Sequence, residues 1–178
     1  YFASLFMEAM NAECCQNFAG PKHTLVDFHR MMTRLVEMED SQYSYRNVLA
    51  AYTSSGILAG ICVAYDGAKL HQLRRRFYEA ALEAFGIDYT GMTDETEDGE
   101  FYIDSLAVSS NFRGKGIASQ LLQATIERGA ELGIPTVGLL VDKGNPKAEA
   151  LYQRLGFVYV NDSTWGGHPM RHLQYKQN

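Results

Sequence analysis

The run Asn111-Phe112-Arg113-Gly114-Lys115-Gly116-Ile117-Ala118 limits what this chain can fold into more than any other segment. Ahead of it, Phe101 to Val108 alternates as a strand. Phe101, Ile103, Ser105 and Ala107 point one way; Tyr102, Asp104, Leu106 and Val108 point the other. Behind it, Ile117, Leu121, Leu122, Thr125 and Ile126 recur at helical spacing from Gly116 to Leu132. Two glycines at a strand-to-helix turn permit backbone conformations that turn N–H groups inward. The helix start adds unpaired N–H donors and partial positive charge. Together these can hold a diphosphate, and Arg113 and Lys115 can add charged contacts. Taken alone, the run is as much a plain tight turn as an anion site. It is not a dinucleotide fingerprint, because Ser119 stands where a third glycine belongs. It is not a P-loop either, because Gly116 follows Lys115.

The rest of the chain sets this unit in an α/β or α+β order. Residues 1–16 carry apolar residues at helical spacing, and Gly20-Pro21 breaks the pattern. Thr24 and Asp27 form a capping-box-like start for a helix reaching about Glu39. Val48 to Tyr52 and Ile57 to Tyr65 flank a short turn and read as a hairpin ended by Asp66-Gly67. Lys69 to Phe85 is helical; Arg74, Arg75 and Arg76 lie on it as a solvated face or an anion contact. Thr90 to Glu100 is an acidic loop, either a connector or a wall facing an amine. Thr136 to Val141 is a short strand. Asn145 caps a helix with Pro146 in its first turn, Gly156 ends it, and Phe157 to Val160 and Met170 to Tyr175 close the order.

Composition narrows the function classes. The formal net charge of −5 and scattered basic residues argue against non-specific nucleic-acid binding. Three cysteines form neither a disulfide framework nor a metal spacing, and suit thiols in a reducing, cytoplasmic setting. No apolar run reaches membrane-spanning length. At 178 residues the chain suits one domain, 1–178.

Two motifs in order carry a family likeness. Asn111, Gly114 and Gly116 match [Q/R]-x-x-G-x-[G/A], with Asn at the first position. Downstream, Asn145, Ala148 and Tyr152 precede Gly156-Phe157. The chain resembles the GCN5-related N-acetyltransferase (GNAT) superfamily over roughly Tyr102 to Val160. The resemblance implies a mixed, mostly antiparallel central sheet with helices on both faces. It also implies a first strand upstream of Tyr1. A helical, acidic insertion at 66–100 would separate the third and fourth strands.

The same resemblance implies acetyl-CoA as cofactor. It puts the diphosphate at Arg113, Gly114, Lys115, Gly116, Ile117, Ala118 and Ser119. It puts the pantetheine arm along Leu106, Ala107, Val108, Asn145 and Ala148, with Tyr152 near the sulfur. Tyr152 is then either the general acid or a packed aromatic. Asp104 is either the general base or an ion-paired structural group. Tyr102, Asp66 and His168 are candidate substrate contacts. The expected reaction is acetyl transfer to a primary amine of a small molecule or peptide. The alternative is a non-catalytic acyl-CoA-binding module. No metal, nucleic acid or membrane is expected as a partner, and a homodimer is the assembly to test.

Overall fold

A computed structural model describes residues 1–177. Six strands form one sheet in the order β1-β2-β3-β4-β6-β5. They are β1 Val48–Tyr52, β2 Leu58–Asp66, β3 Glu100–Val108, β4 Thr136–Asp142, β5 Val158–Trp165 and β6 His168–Lys176. Only β3 and β4 pair in parallel, with the helix α5 (Ile117–Glu131) crossing between them. All other neighbours are antiparallel.

Helices cover both faces, as expected. On one face, α1 (Phe2–Met10), α2 (Ala12–Ala19), α3 (Leu25–Glu37) and α4 (Leu70–Phe85) bury Phe6, Phe18, Phe28, Met32, Leu35 and Phe77 against Ile61 and Val63 of β2. On the other, α5 and α6 (Pro146–Arg154) pack on Cys62, Ile103, Val137, Leu139 and Leu173. β2 is therefore buried on both sides and reads as a nearly continuous apolar run.

Local chemistry explains the helix starts. Thr24 Oγ1 accepts the Asp27 N–H, and Asp27 Oδ2 accepts the Thr24 N–H, which is the expected capping box. The first helix is two helices, not the single one expected over 1–16. Asn11 takes φ 68° and ends α1, and its Oδ1 accepts the Cys14 N–H to cap α2. Asparagine tolerates positive φ better than most residues and is a favoured N-cap.

The closing hairpin is longer than Phe157–Val160 and Met170–Tyr175 suggest. Gly166 and Gly167, at φ 58° and 79°, make a two-residue turn that lets β5 and β6 pair out to Trp165 and His168. Trp165 reaches across to Phe18 of α2, with ring centroids 5.6 Å apart.

Strand β3 departs from simple alternation. Val63 pairs with Ser105 but Ala64 pairs with Ile103, so Asp104 is an extra residue, a β-bulge. Beyond it the faces exchange. Leu106 packs with Phe101 and Ile103 on the α5 side, while Ala107 joins the α1–α3 core. The expected common face of Asp104, Leu106 and Val108, and that of Ile103 with Ala107, are thus both broken by one residue.

Arg74 does not lie on a solvated face. It is 1% exposed, because positions 70, 73, 74, 77 and 81 form the buried stripe of α4. Its guanidinium donates to Glu95 Oε1 at 3.0 Å and to the carbonyls of Met92 and Thr93. Arg75 is exposed, and Arg76 pairs with Asp40 at 2.7 Å. Glu100, also drawn from the acidic stretch, is buried. Its carboxylate passes over Gly138 of β4 to meet His172 Nε2 at 2.6 Å and Gln174 Nε2 at 2.8 Å on β6. Any side chain at 138 would collide with it.

Candidate active site

The parallel pair opens into a cleft. β3 and β4 are hydrogen-bonded only from Glu100–Thr136 to Ile103–Leu139. Past that point the strands diverge, and the β4-facing edge of residues 104–108 has no strand partner. Leu106, Ala107 and Val108 line one wall, and Leu140, Val141 and Asp142 the other. The cleft holds about 840 Å³. Its unpaired strand edge can offer main-chain groups to a long, amide-bearing ligand.

At one end lies the glycine turn. Gly114 and Gly116 take φ 75° and 78°, and no side chain caps the N-terminus of α5. A Cβ at either glycine would meet nothing within 4 Å, so backbone conformation rather than crowding is what requires glycine there. The open helix start and the glycine turn fit an anionic group such as a diphosphate. Arg113, Gly114 and Ala118 line the cleft directly. Lys115, Gly116, Ile117 and Ser119 lie in the same turn and first helical turn but outside the lining; the Lys115 ammonium sits 5.4 Å above the Phe112 ring. Arg113 Nε donates to the Val108 carbonyl at 3.1 Å, and its guanidinium lies 3.8 Å from Glu8 of α1. Asn111 is exposed in a short 3-10 turn.

From β4, Asn145 caps α6 by accepting the Ala148 N–H at 3.2 Å. This brings Asn145, Ala148, Leu151 and Tyr152 along the cleft on one helical face. Tyr152 packs edge-on against Phe157, 6.0 Å between centroids, and makes no side-chain hydrogen bond to another described residue. Burial, and then the neighbouring Cys62, push its phenol well above the ordinary tyrosine value.

The other end is polar and acidic. Asp104, half-buried at the floor, accepts Tyr65 Oη at 2.7 Å and Ser105 Oγ at 3.0 Å. Burial, and then the negative charge of Glu95, push its carboxyl up to about 7. Glu95 accepts Arg74 and Gln42 on Oε1 and Tyr102 on Oε2. Gln42 also donates to Tyr65 Oη at 3.1 Å, so one chain of hydrogen bonds joins Arg74, Glu95, Gln42, Tyr65 and Asp104. Cys14 lines this end as a neutral thiol, pushed up to about 12 by burial and then by Cys15 and Glu13.

Of the expected substrate contacts, Tyr102 and His168 line the cleft, with His168 Nδ1 3.8 Å from Asp142. Asp66 does not. Its carboxylate accepts the Ala68 N–H to cap a 3-10 turn, and it borders a separate depression of about 330 Å³. It ends β2 paired with Phe101, three residues along β3 from Asp104. The sequence left several wall residues unassigned: Glu8, Met10, Asn11 and Cys14 of the first two helices, Tyr43, Glu95 and Trp165. Only the acidic stretch around Glu95 gave a local signal.

The model of the acetyltransferase (GNAT) family matches residues 31–157. The chain belongs to this family. It is 26% identical over 174 residues to GCN5-related N-acetyltransferase 4, chloroplastic, of Arabidopsis thaliana, a match covering 89% of this chain and 60% of that protein. Over 78 residues it is 36% identical to the mycothiol acetyltransferase of Propionibacterium freudenreichii, covering 43% of this chain and 24% of the relative. The chain thus spans less than two thirds of the curated relatives it matches. A crystal structure described as an acetyltransferase superposes with a TM-score of 0.80 at 26% identity, covering 98% of this chain and 92% of the other. The alignment of this acetyltransferase-family chain with that structure takes in α1 to α4 as well as the two motif regions.

Proposed function

We propose that this chain is an N-acetyltransferase that moves the acetyl group of acetyl-CoA to a primary amine of a small molecule or peptide. One observation carries the reading: a single cleft joins the glycine turn, the unpaired β3 edge, Tyr152 and Asp104. In this reading residues 1–178 act as one acetyltransferase domain, with 66–100 as an insertion that completes the acceptor end. The cofactor supplies a thioester-activated acetyl group.

The glycine turn, Arg113 and the α5 N-terminus hold the diphosphate. The open edge of Leu106 to Val108 and the Asn145 to Leu151 face hold the pantetheine arm, and a main-chain N–H of that edge polarises the acetyl carbonyl. Asp104 takes the proton of the acceptor ammonium, directly or through a water; a carboxyl near 7 is matched to that task at physiological pH. Tyr152 keeps its proton at neutral pH and donates a hydrogen bond at the leaving sulfur, giving up the proton as charge grows there.

The test is release of free CoA thiol from acetyl-CoA across a panel of primary amines. Tyr152→Phe preserves the packing on Phe157 and removes the donor, so turnover should fall by roughly 10²-fold or more with little loss of thermal stability. CoA binding without turnover of any amine would favour the non-catalytic acyl-CoA module instead. Full activity in Tyr152→Phe would remove Tyr152 from the chemistry.

A further inference from the structure

Resting on the acetyl-transfer reading, we propose that the acceptor end selects an amine bearing a second cationic group, held by Glu95 and the Tyr43 hydroxyl. The lysine and arginine side chains that line the cleft gather at one end. Arg113, Lys147 and Arg154 stand with the glycine turn and α6, at the cofactor end. Around the acceptor end the carboxylates of the wall are Glu95 and Asp104, set among the neutral Cys14, Tyr43 and Tyr102, and the guanidinium of Arg74 behind them is already engaged. Arg74 is shared between Glu95 at 3.0 Å and Asp94 at 3.6 Å, and its Nη1 also donates to two backbone carbonyls. Asp94 is exposed and also meets His71 at 2.9 Å, so within the wall two carboxylates, Glu95 and Asp104, share one guanidinium. The net negative charge of the wall suits a reacting ammonium at Asp104, and the second cation is placed by the acceptor atoms left open beside it. Among the described residues, no further lysine or arginine lines that end to receive an acceptor's carboxylate.

Two acceptor atoms are in place for that cation. Glu95 Oε1 is filled by Arg74 and Gln42, but Oε2 accepts only Tyr102 and keeps a lone pair for the cleft. Independently, Tyr43 is 5% exposed, lines the same wall and makes no hydrogen bond to another described residue. The ring is buried while the hydroxyl is not sealed off, so its oxygen is open to the cleft and can accept from a bound ammonium. Burial, and then the charges of Asp104 and Glu95, push the Tyr43 phenol well above the ordinary tyrosine value, so it stays protonated. Aromatic surface from Tyr43, Tyr102 and Trp165 also favours cations over anions. The acceptor class is therefore a diamine or polyamine, not an amino acid or a plain alkylamine.

The experiment compares 1,4-diaminobutane, butylamine and 4-aminobutanoate, which share a chain length and differ in the far group. kcat/KM for the diamine should exceed that for butylamine by roughly ten- to a hundredfold, with 4-aminobutanoate poorest. Tyr43→Phe should lower that ratio several-fold while leaving the Arg74–Glu95 pair intact; Glu95→Gln should lower it further, but its loss of folding would leave the Tyr43 variant decisive. Thermal unfolding with each amine, without cofactor, gives a readout independent of turnover, and the diamine should stabilise most. Equal use of diamine and butylamine overturns the inference and leaves acetyl transfer standing. Stabilisation by the diamine without turnover of any amine keeps the inference and sinks the acetyl-transfer reading. Neither stabilisation nor preference overturns the inference outright.

Discussion

Asp104→Asn separates what this carboxylate costs the fold from what it does in the cleft. Burial and the Glu95 charge hold its pKa at about 7 in the folded chain, against about 3.9 for an unfolded aspartate. The folded state therefore keeps the proton longer. Below about pH 4 both states are protonated, and the carboxyl has no pH-dependent effect. Between about 4 and 7 the unfolded state gives up its proton first, so stability falls as pH rises. Above about 7 both states are ionised, and the whole penalty remains. At about 1.4 kcal/mol for each pH unit of that interval, the penalty is on the order of 4 kcal/mol. This is an upper value, because the carboxylate is only half-buried.

Asparagine has the same shape and no charge. Tyr65 and Ser105 can keep their bonds to it, since a hydroxyl rotates to donate or accept. Variant and wild type should therefore unfold together near pH 4.5. At pH 8 the variant should be the more stable, by up to roughly 10 °C in Tm. Its acetyl transfer should fall by roughly 10²-fold or more, while the wild-type kcat/KM rises with pH to a plateau above about 7. The measurement is thermal unfolding followed by circular dichroism at half-unit steps from pH 4.5 to 8. Parallel curves for the two proteins would refute the burial argument, and a fully active variant would refute the base.

Two further substitutions test the frame around the site. Gly138→Ala puts a methyl group into the Glu100 carboxylate, which must then leave His172 and Gln174. Urea unfolding should show a loss of about 2–4 kcal/mol, and unchanged stability would mean the carboxylate has another route across β4. Gly114→Ala meets open space but must hold φ 75° with a Cβ, at a cost of about 1 kcal/mol. Calorimetric titration should find CoA bound roughly fivefold or more weaker, and undiminished affinity would take Gly114 out of the cradle.

The parts of the fold written in local chemistry were legible in the sequence. The Thr24–Asp27 box, the Asn145-Pro146 start and the strand-glycine-helix unit depend on residues within a few positions of each other, and each sits where its spacing implies. The acceptor end was not legible for the opposite reason. Tyr43 precedes β1, Glu95 follows α4, Cys14 is on α2 and Trp165 closes the last hairpin. Nothing in the spacing of residues 14, 43, 95 and 165 says they share a wall; tertiary packing brings them together. Arg74 misled in a related way. Three arginines in a row read as a solvated charge run, yet a helix turns each by about 100°, and only Arg74 faces the stripe that Glu95 and two carbonyls neutralise.

The bulge at Asp104 is the hardest feature to read and the one the site depends on most. A period of two says which residues alternate, but it carries no record of an inserted residue. From Phe101 onward the alternation is right for four residues, through Asp104, and inverted afterwards. The inversion has a use. It separates Leu106, which turns under α5, from Asp104, which stays on the Tyr65 and Tyr102 side, bonded to Tyr65 and beside Glu95, and not among the apolar residues under α5. There an ionisable carboxyl would have apolar neighbours on every side. It also comes where the parallel pairing with β4 stops after Ile103. One extra residue in β3 thus accompanies both the opening of the cleft and the turning of a carboxylate into it.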